Sequence, residues 1–505
     1  MKNIDDSYSP DELYAIGSKY FEVGSIQLSI KYFEKSLLGG PFFEGLHDLG
    51  VALSLAGRHL DGIKMLENAV SIKREPGALY NIGRIYDEIK DFNSSSNAYK
   101  SAIDLNPHFL EAWVNYGVAL YELGLFDKAI LAYDKALEIT PCFLDALLNK
   151  GNALHKQKKF IEAIDNYEQA ILINGSFADA HFNKSMTMLL MGDFEVGLKE
   201  YEWRHQCPAL QEQDRLSKEP IWTGKESLKD KTILLFSEQG YGDTIQFCRY
   251  AKLIGELGAK VILEVQGPLV ELLSNVEGVS QILAKGSLPP MHDYQCSLLS
   301  LPLAFGTTLK TIPDMGKYLC SNNEKAVLWQ SRIGCNEPIK IGLAWSGNRS
   351  HANDRYRSIP VDELLSQLPK NIQYYSLQKE IPVGDAFKCP PNLMRFEADL
   401  NDFSDTAALI NCLDLVVTVD TSIAHLSCAL GKKTYILLPD VPDWRWLMGR
   451  QDSPWYHSAK LYRQRSMGDW TNVFSAVSSD ILLNFFDELT DQFSIQKFND
   501  QLNPT

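Results

Sequence analysis

Three short segments of the 505-residue chain hold side chains that could do chemistry. The first is Asp420-Thr421-Ser422-Ile423-Ala424-His425-Leu426, directly after the apolar run LVVTV. The run reads as a buried strand and the residues after it as the opening of a helix. Free backbone N–H groups at a helix start, joined by two hydroxyls, make an anion site, and a diphosphate is the fitting guest. Asp420 or Thr421 could equally do no more than cap the helix. His425 stands four residues beyond Thr421 on the same side, as a phosphate contact or as a satisfied core histidine.

The second segment is Gly240-Tyr241-Gly242-Asp243, after the run TILLF. Two glycines permit a tight strand-to-helix turn and the close approach of a ligand. The segment is not a full GxGxxG, which weakens a nicotinamide reading. The Asp243 carboxylate, at a helix start facing a cleft, can accept a proton from an acceptor hydroxyl. A plain N-cap role is its structural alternative. The third segment runs from Ser346-Gly347-Asn348-Arg349 through Arg355 and Arg357, with Lys379 after the run YYSL. A turn followed by cations suits a sugar-nucleotide diphosphate. Exposed arginines are otherwise ordinary surface. Asp440, Trp444, Arg445 and Trp446 follow the run TYILLP and read as a structural aromatic cluster.

The elements that would position these residues begin at Lys231, where short apolar runs start to alternate with helical patterns. Strands are predicted at Thr232–Phe236, Val261–Val265, Ile341–Trp345, Tyr374–Leu377, Leu415–Val419, Thr434–Leu438 and Lys460–Tyr462. Helices are predicted at Thr244–Leu257, ending at Gly258, and at Leu269–Asn275, Ala407–Leu413, Thr421–Leu430, ending at Gly431, and Val473–Leu489. This alternation implies parallel sheets with right-handed crossovers. Two such units, 231–325 and 338–490, suggest paired Rossmann-like domains facing a cleft, with a tail over 491–505. Ligands then bind at the carboxyl ends of the strands.

Upstream, Gly17, Gly50, Gly83, Gly117, Gly151 and Ser185 recur every 33 or 34 residues. The clearest unit, Leu110 to Pro141, carries Trp113, Gly117, Leu120, Ala129, Tyr133 and Ala136. Gly117 and Ala129 fall on two antiparallel helices and let them approach, while Tyr133 and Leu120 fill the space beside them. Pro141 stands where the second helix must stop. Each helix pair leaves an apolar face that the next pair covers, so the units stack. The pattern resembles the tetratricopeptide (TPR) repeat over residues 10–206, in about six units. Ser185 and Gly197 replace the usual Gly and Ala of the sixth. Residues 207–230 read as a linker packed on the last helix through Trp203 and Trp222.

The net charge of −15 is spread over both parts of the chain. Attraction to nucleic acid, which needs a basic footprint, is disfavoured. Nine cysteines, an odd number without a CxxC, argue against a disulfide framework and a zinc site. The start, MKNIDDSYSPDELY, has no apolar core for a signal peptide, and no run is long enough for a transmembrane segment. A cytoplasmic location is expected.

The segments LLFSEQGYGDTIQF, GLAWSGN and VVTVDTSIAHLSCALGKKTYILL together resemble the heptosyltransferase-like glycosyltransferases of family 9, across about residues 231–488. The resemblance implies a GT-B fold and a nucleotide-sugar substrate. It also implies inversion at the anomeric centre, with no metal and no cofactor. Carried over, Asp243 is the general base, set by the Gly240 and Gly242 loop. Asp420, Thr421, Ser422 and His425 are then at the donor diphosphate, with Ser346, Asn348, Arg357 and Lys379. Arg357 stands where that family tends to have a lysine. Lipopolysaccharide heptosyltransferases lack a long repeat array; the whole arrangement looks like bacterial TPR-fused glycosyltransferases. The Gly-His-Thr-Thr pattern of a true O-GlcNAc transferase is missing.

The fold expected is therefore an α-helical TPR solenoid followed by an α/β GT-B fold. The function expected is transfer of a sugar from a nucleotide-sugar donor to a protein or glycan acceptor presented by the TPR groove. The rival is a non-catalytic TPR scaffold with a ligand-binding GT-B domain.

Overall fold

A computed structural model describes residues 8–210, 218–334, 339–349, 353–381, 383–386, 388–390 and 392–485. The 491–505 tail therefore lies outside the described residues. The chain divides into two compact units that meet at Lys184 and Ser185.

The first part is a run of antiparallel helix pairs: α1 Pro10–Glu22, α2 Ile26–Ser36, α3 Phe43–Leu55, α4 His59–Ile72, α5 Pro76–Glu88, α6 Phe92–Leu105, α7 Leu110–Glu122, α8 Phe126–Ile139, α9 Leu144–Lys156 and α10 Phe160–Ile173. The repeated glycines mark the closest approach within each pair. A methyl group on Gly117 would lie 2.4 Å from the Tyr133 ring, and one on Gly151 would lie 2.4 Å from Tyr167. Gly17 meets Phe33 and Gly83 meets Tyr99 in the same way. Ala129 and Ala163 are fully buried opposite these sites. Hydrogen bonds one repeat apart stitch neighbours together, Tyr14 to Asp48 at 2.7 Å and Asn81 to His47 at 3.0 Å. This is the TPR-like architecture that the spacing predicts. It continues through α11 Ala178–Met191 and α12 Phe194–Tyr201, where Gly197 packs on Leu189 and Ser185 is buried at the glycine position.

After residue 230 come two parallel sheets. The first joins β1 Thr232–Phe236, β2 Lys260–Val265, β3 Val279–Ala284 and β4 Tyr294–Ser297 in the order β3-β2-β1-β4. The second joins β5 Lys340–Ala344, β6 Gln373–Ser376, β7 Leu393–Met394, β8 Leu415–Val419, β9 Thr434–Leu438 and β10 Ala459–Arg463 in the order β10-β9-β8-β5-β6-β7. β1, β8 and β9 are buried along almost their whole length, which explains their unbroken apolar sequences. Helices between strands include α13 Tyr241–Phe247, α14 Tyr250–Glu256, α15 Val270–Leu273, α16 Leu301–Ala304 and α17 Asn323–Ile333. Then follow α18 Asp354–Arg357, α19 Val361–Gln367, α20 Val383–Ala386, α21 Phe403–Asn411, α22 Ser422–Ala429 and α23 Thr471–Asn484. The α13-β1 and α22-β8 units each start a helix at a carboxyl strand end. Gly258 and Gly431 close α14 and α22 with φ of 85° and 72°, the left-handed turn that glycine adopts without strain.

Three expectations need correction. The helix predicted over Thr244–Leu257 is two helices, α13 and α14, broken at Cys248 and Arg249. Arg249 turns back to the Gln246 carbonyl at 2.8 Å and reaches the Trp455 carbonyl at 2.8 Å. Trp222 of the linker, expected on the last repeat helix, is bonded to the edge of the first sheet. Pro220 to Trp222 pair beside β4 through Trp222 N–H to the Gln295 carbonyl, and the indole packs edge-on against Phe305. Finally, β3, β4, β7 and α17 are present though no run predicted them, because polar residues interrupt the strands and β7 has two residues.

Candidate functional site

β1 is followed by Ser237-Glu238-Gln239-Gly240, and α13 then starts at once. Gln239 takes the left-handed conformation at φ 54°, an uncommon choice for a residue with a side chain. Asp243, in the first turn of α13, accepts the Gly240 N–H at 2.9 Å. This is the capping arrangement that its place at a helix start predicts. Its other oxygen, however, faces the second sheet: Arg445 Nη2 donates to Asp243 Oδ1 at 2.6 Å.

Across from α13 stands α22, starting at the carboxyl end of β8. Thr421 caps it, its hydroxyl accepting the Ile423 N–H at 3.3 Å and lying 3.3 Å from the Thr418 hydroxyl. Ser422 is part-buried at the first helical position, with no hydrogen-bond partner for its hydroxyl among the described residues. The two helix starts touch. A methyl group on Gly242 would come within 2.8 Å of His425 Cδ2 and 3.6 Å of Ser422 Cα. The close approach offered by glycine is thus spent on α22, and a side chain at this position would crowd the His425 ring.

His425 is buried, bonded through Nδ1 to the Tyr456 hydroxyl at 3.0 Å and stacked on Trp446. Burial, with Arg445 adding, holds its pKa down to about 3, so it is neutral. It sits as a satisfied core histidine. Arg357 lies over Gly347 and donates to the Asp420 carbonyl at 2.9 Å, tying the loop after β5 to the loop after β8. Ser346 is buried against Gln378, whose amide donates to its hydroxyl at 3.0 Å. Asn348 is exposed. Lys379 is exposed and its ammonium bonds the Glu397 carbonyl at 3.1 Å. Asp243, Gly242, Asp420, Thr421, Ser422, His425 and Arg357 therefore form one neighbourhood, while the Lys379 ammonium is held apart from it on the Glu397 carbonyl.

The loop after β9 completes it. Trp444 and Trp446 are buried among aromatics, as the sequence suggests. Arg445 is not part of a purely aromatic cluster. Its side chain is 7% exposed and spans Asp243 and Asp443, the latter at 2.9 Å. Burial raises the pKa of Asp243, and Arg445 and the Gly240 N–H only partly offset it. Burial also pushes Asp443 up, but Arg445 and its N–H bring that carboxyl below the usual range. Asp420 rises to about 6, through burial first and the charge of Asp443 second. The Trp446 indole N–H lies near Asp420 without forming a hydrogen bond of normal geometry. Sequence reasoning missed Arg445 and Asp443 as site members. Their one sequence signal is their place after a strand adjacent to β8.

Behind the loop after β1 lies a second buried ion pair. Arg204, just past α12, forks onto Glu238 at 2.9 and 3.0 Å and also reaches Ser300 at 2.7 Å. Phe194 and Tyr201 of α12 pack edge-on against Trp444. Among the described residues no group of His, Cys, Asp and Glu is placed to hold a metal ion, and no helix is long and apolar enough to cross a membrane.

Comparison with known proteins supports the repeats directly. The tetratricopeptide repeat family matches residues 80–141 and again 144–177. The chain is similar to Protein FlbA of Caulobacter vibrioides, 24% identical over 497 residues, covering 92% of this chain and 77% of FlbA. Among solved structures, MamA is 28% identical, with 32% of this chain and 96% of that chain covered and a TM-score of 0.31. The pilF protein of Pseudomonas aeruginosa is 16% identical, with 40% and 92% covered and a TM-score of 0.35.

Proposed function

We propose that the chain is a metal-independent, inverting glycosyltransferase. It takes a sugar from a nucleotide-sugar donor and passes it to a protein or glycan acceptor brought by the repeat array. In this reading residues 231–325 serve the acceptor side and residues 338–490 the donor side. The observation that carries it is the meeting of Asp243 with the start of α22 across the two sheets, through Gly242. A carboxylate whose pKa is raised by burial is a better base than a solvated one.

Asp243 takes the proton of the acceptor hydroxyl. The acceptor oxygen forms a bond to the anomeric carbon while the bond from that carbon to the diphosphate oxygen breaks on the opposite face. The departing charge falls to the free N–H groups of α22, the Ser422 hydroxyl and an arginine. Basic or neutral acceptors suit the acidic array best, since 20 Lys and Arg stand against 29 Asp and Glu in residues 1–206.

The test is a donor-hydrolysis screen of the full chain over ADP-, UDP-, GDP- and dTDP-sugars. One donor should release its nucleoside diphosphate slowly without acceptor. Asp243→Asn should still bind that donor and turn over about 10²–10⁴ times more slowly. Absence of hydrolysis and of binding for every donor would remove the reading. The rival, a non-catalytic scaffold, draws on one observation: both Asp243 oxygens are already engaged, by Gly240 and by Arg445. An Asn variant as active as the wild type would favour it.

A further inference from the structure

Arg445 is the residue that the glycosyltransferase reading leaves without a task. Its position is unusual in three respects. The side chain is almost wholly buried, yet its Nε has no hydrogen-bond partner. Its two remaining nitrogens hold carboxylates from different places, Asp243 on α13 and Asp443 in its own loop. And it lies where the starts of α13 and α22 meet, beside Trp446, which stacks on His425.

The other groups near α22 have little left to offer an anion. Arg357 is committed to the Asp420 carbonyl and to Asp354. The Thr421 hydroxyl is used by the cap. The Lys379 ammonium is on the Glu397 carbonyl. A diphosphate arriving here would also face Asp243 and Asp443, and like charges at short range repel. A guanidinium that moves from carboxylate to phosphate relieves that repulsion and supplies fork-shaped donors at once.

We propose that Arg445 binds the donor diphosphate, and that it does so by leaving Asp243. The ion pair is then the resting arrangement. Donor binding breaks the Nη2–H bond to Asp243 Oδ1 and forms one to a phosphate oxygen. Asp243, released, becomes free to take the acceptor proton, so the donor binds before the acceptor reacts. This inference rests on the glycosyltransferase reading and adds to it a residue and an order of events.

The experiment is a double-mutant cycle on the full chain, with ADP, UDP, GDP and dTDP as probes in calorimetric titrations. Asp243→Asn removes the competitor for Arg445 and should bind the preferred nucleotide about fivefold tighter, and Arg445→Gln at least about tenfold weaker. In the Arg445→Gln background the tightening by Asp243→Asn should vanish. Equal tightening in both backgrounds would mean that the aspartate acts only through its field, and would overturn the proposal while leaving the glycosyltransferase reading intact. Should Arg445→Gln fail to fold, the double variant, which removes both charges, carries the test. Its affinity should lie at least about tenfold below the wild-type value, since the tightening vanishes without Arg445, and an affinity at or above the wild-type value would overturn the proposal. No binding of any nucleotide by any form would overturn it together with the reading it rests on.

Discussion

The guanidinium of Arg204 forks onto both carboxylate oxygens of Glu238, at 2.9 and 3.0 Å, five residues before Asp243. Arg204 follows the last repeat helix, and its side chain is 1% exposed. The end of the array is therefore built into the floor of the loop that carries Asp243. Breaking one partner of a buried pair leaves an uncompensated charge, which costs about 3–5 kcal/mol. Arg204→Met should lower stability by that amount. Adding Glu238→Gln should recover part of it, because one of the two carboxylates left without their cation, Glu238 and Glu202, is then neutral. Denaturant melts of the two variants decide this, and a single variant as stable as the wild type would show that the pair contributes nothing.

Much of this arrangement is legible in the chain, and the illegible part has a common cause. TILLF, LVVTV and TYILL announce β1, β8 and β9 because a strand buried on both faces needs no polar residue. Asp243 and Asp420-Thr421-Ser422 stand out because they directly follow such strands. Arg445 does not, since what makes it notable is Asp243, 202 positions away. Arg204 hides for the same reason, with Glu238 34 positions on. Nothing in local composition marks a cation that will find its carboxylate through tertiary contact. The edge strands β3 and β4 escape because Ser and Gln interrupt them.

The repeat glycines give a test of packing against propensity. Gly→Ala in a helix interior gains about 1 kcal/mol from propensity alone. At Gly117 the new methyl would sit 2.4 Å from the Tyr133 ring, which is itself buried. Overpacking costs about 1–3 kcal/mol, so Gly117→Ala should lose stability on balance. Gly77, in the first turn of α5, has nothing within 4 Å of a Cβ. Gly77→Ala should therefore gain a few tenths to about 1 kcal/mol. Thermal melts of both variants suffice; a shift of the same sign in both would refute the packing account.

Thr421 and Ser422 are adjacent but differently employed, and single substitutions should separate their roles. Thr421→Val removes the hydroxyl that caps α22 and should cost about 1 kcal/mol of stability. Ser422→Ala removes a hydroxyl that holds no described group, so stability should barely move. If that hydroxyl meets the donor phosphate, nucleotide affinity should drop by about 1–2 kcal/mol in Ser422→Ala. Paired calorimetry and melting curves would show the split. An unchanged affinity in the serine variant would take Ser422 out of the donor site.

Asp420 makes the site sensitive to pH with a definite sign. Its folded pKa is about 6, against an ordinary value of 3.8, with burial the leading cause and Asp443 the next. Arg357 and Arg445 oppose the shift without cancelling it. Between these two values the folded chain keeps a proton that the unfolded chain has released. The folded state then binds more protons, so this group's contribution to stability falls as pH rises from about 4 to about 6. Above that, both states are ionised and the whole penalty is present. Asp420→Asn holds the site neutral at every pH and keeps the backbone carbonyl that Arg357 uses. The variant should thus be more stable than the wild type at pH 7, by about 1–3 kcal/mol. The gap should close as the pH is lowered to about 4, where the wild-type carboxyl is protonated in the folded chain. Melting both proteins at several pH values between these limits checks the slope. A gap that stays constant, or that widens toward acid, would mean that Asp420 is ionised throughout and that its burial is compensated by the arginines around it.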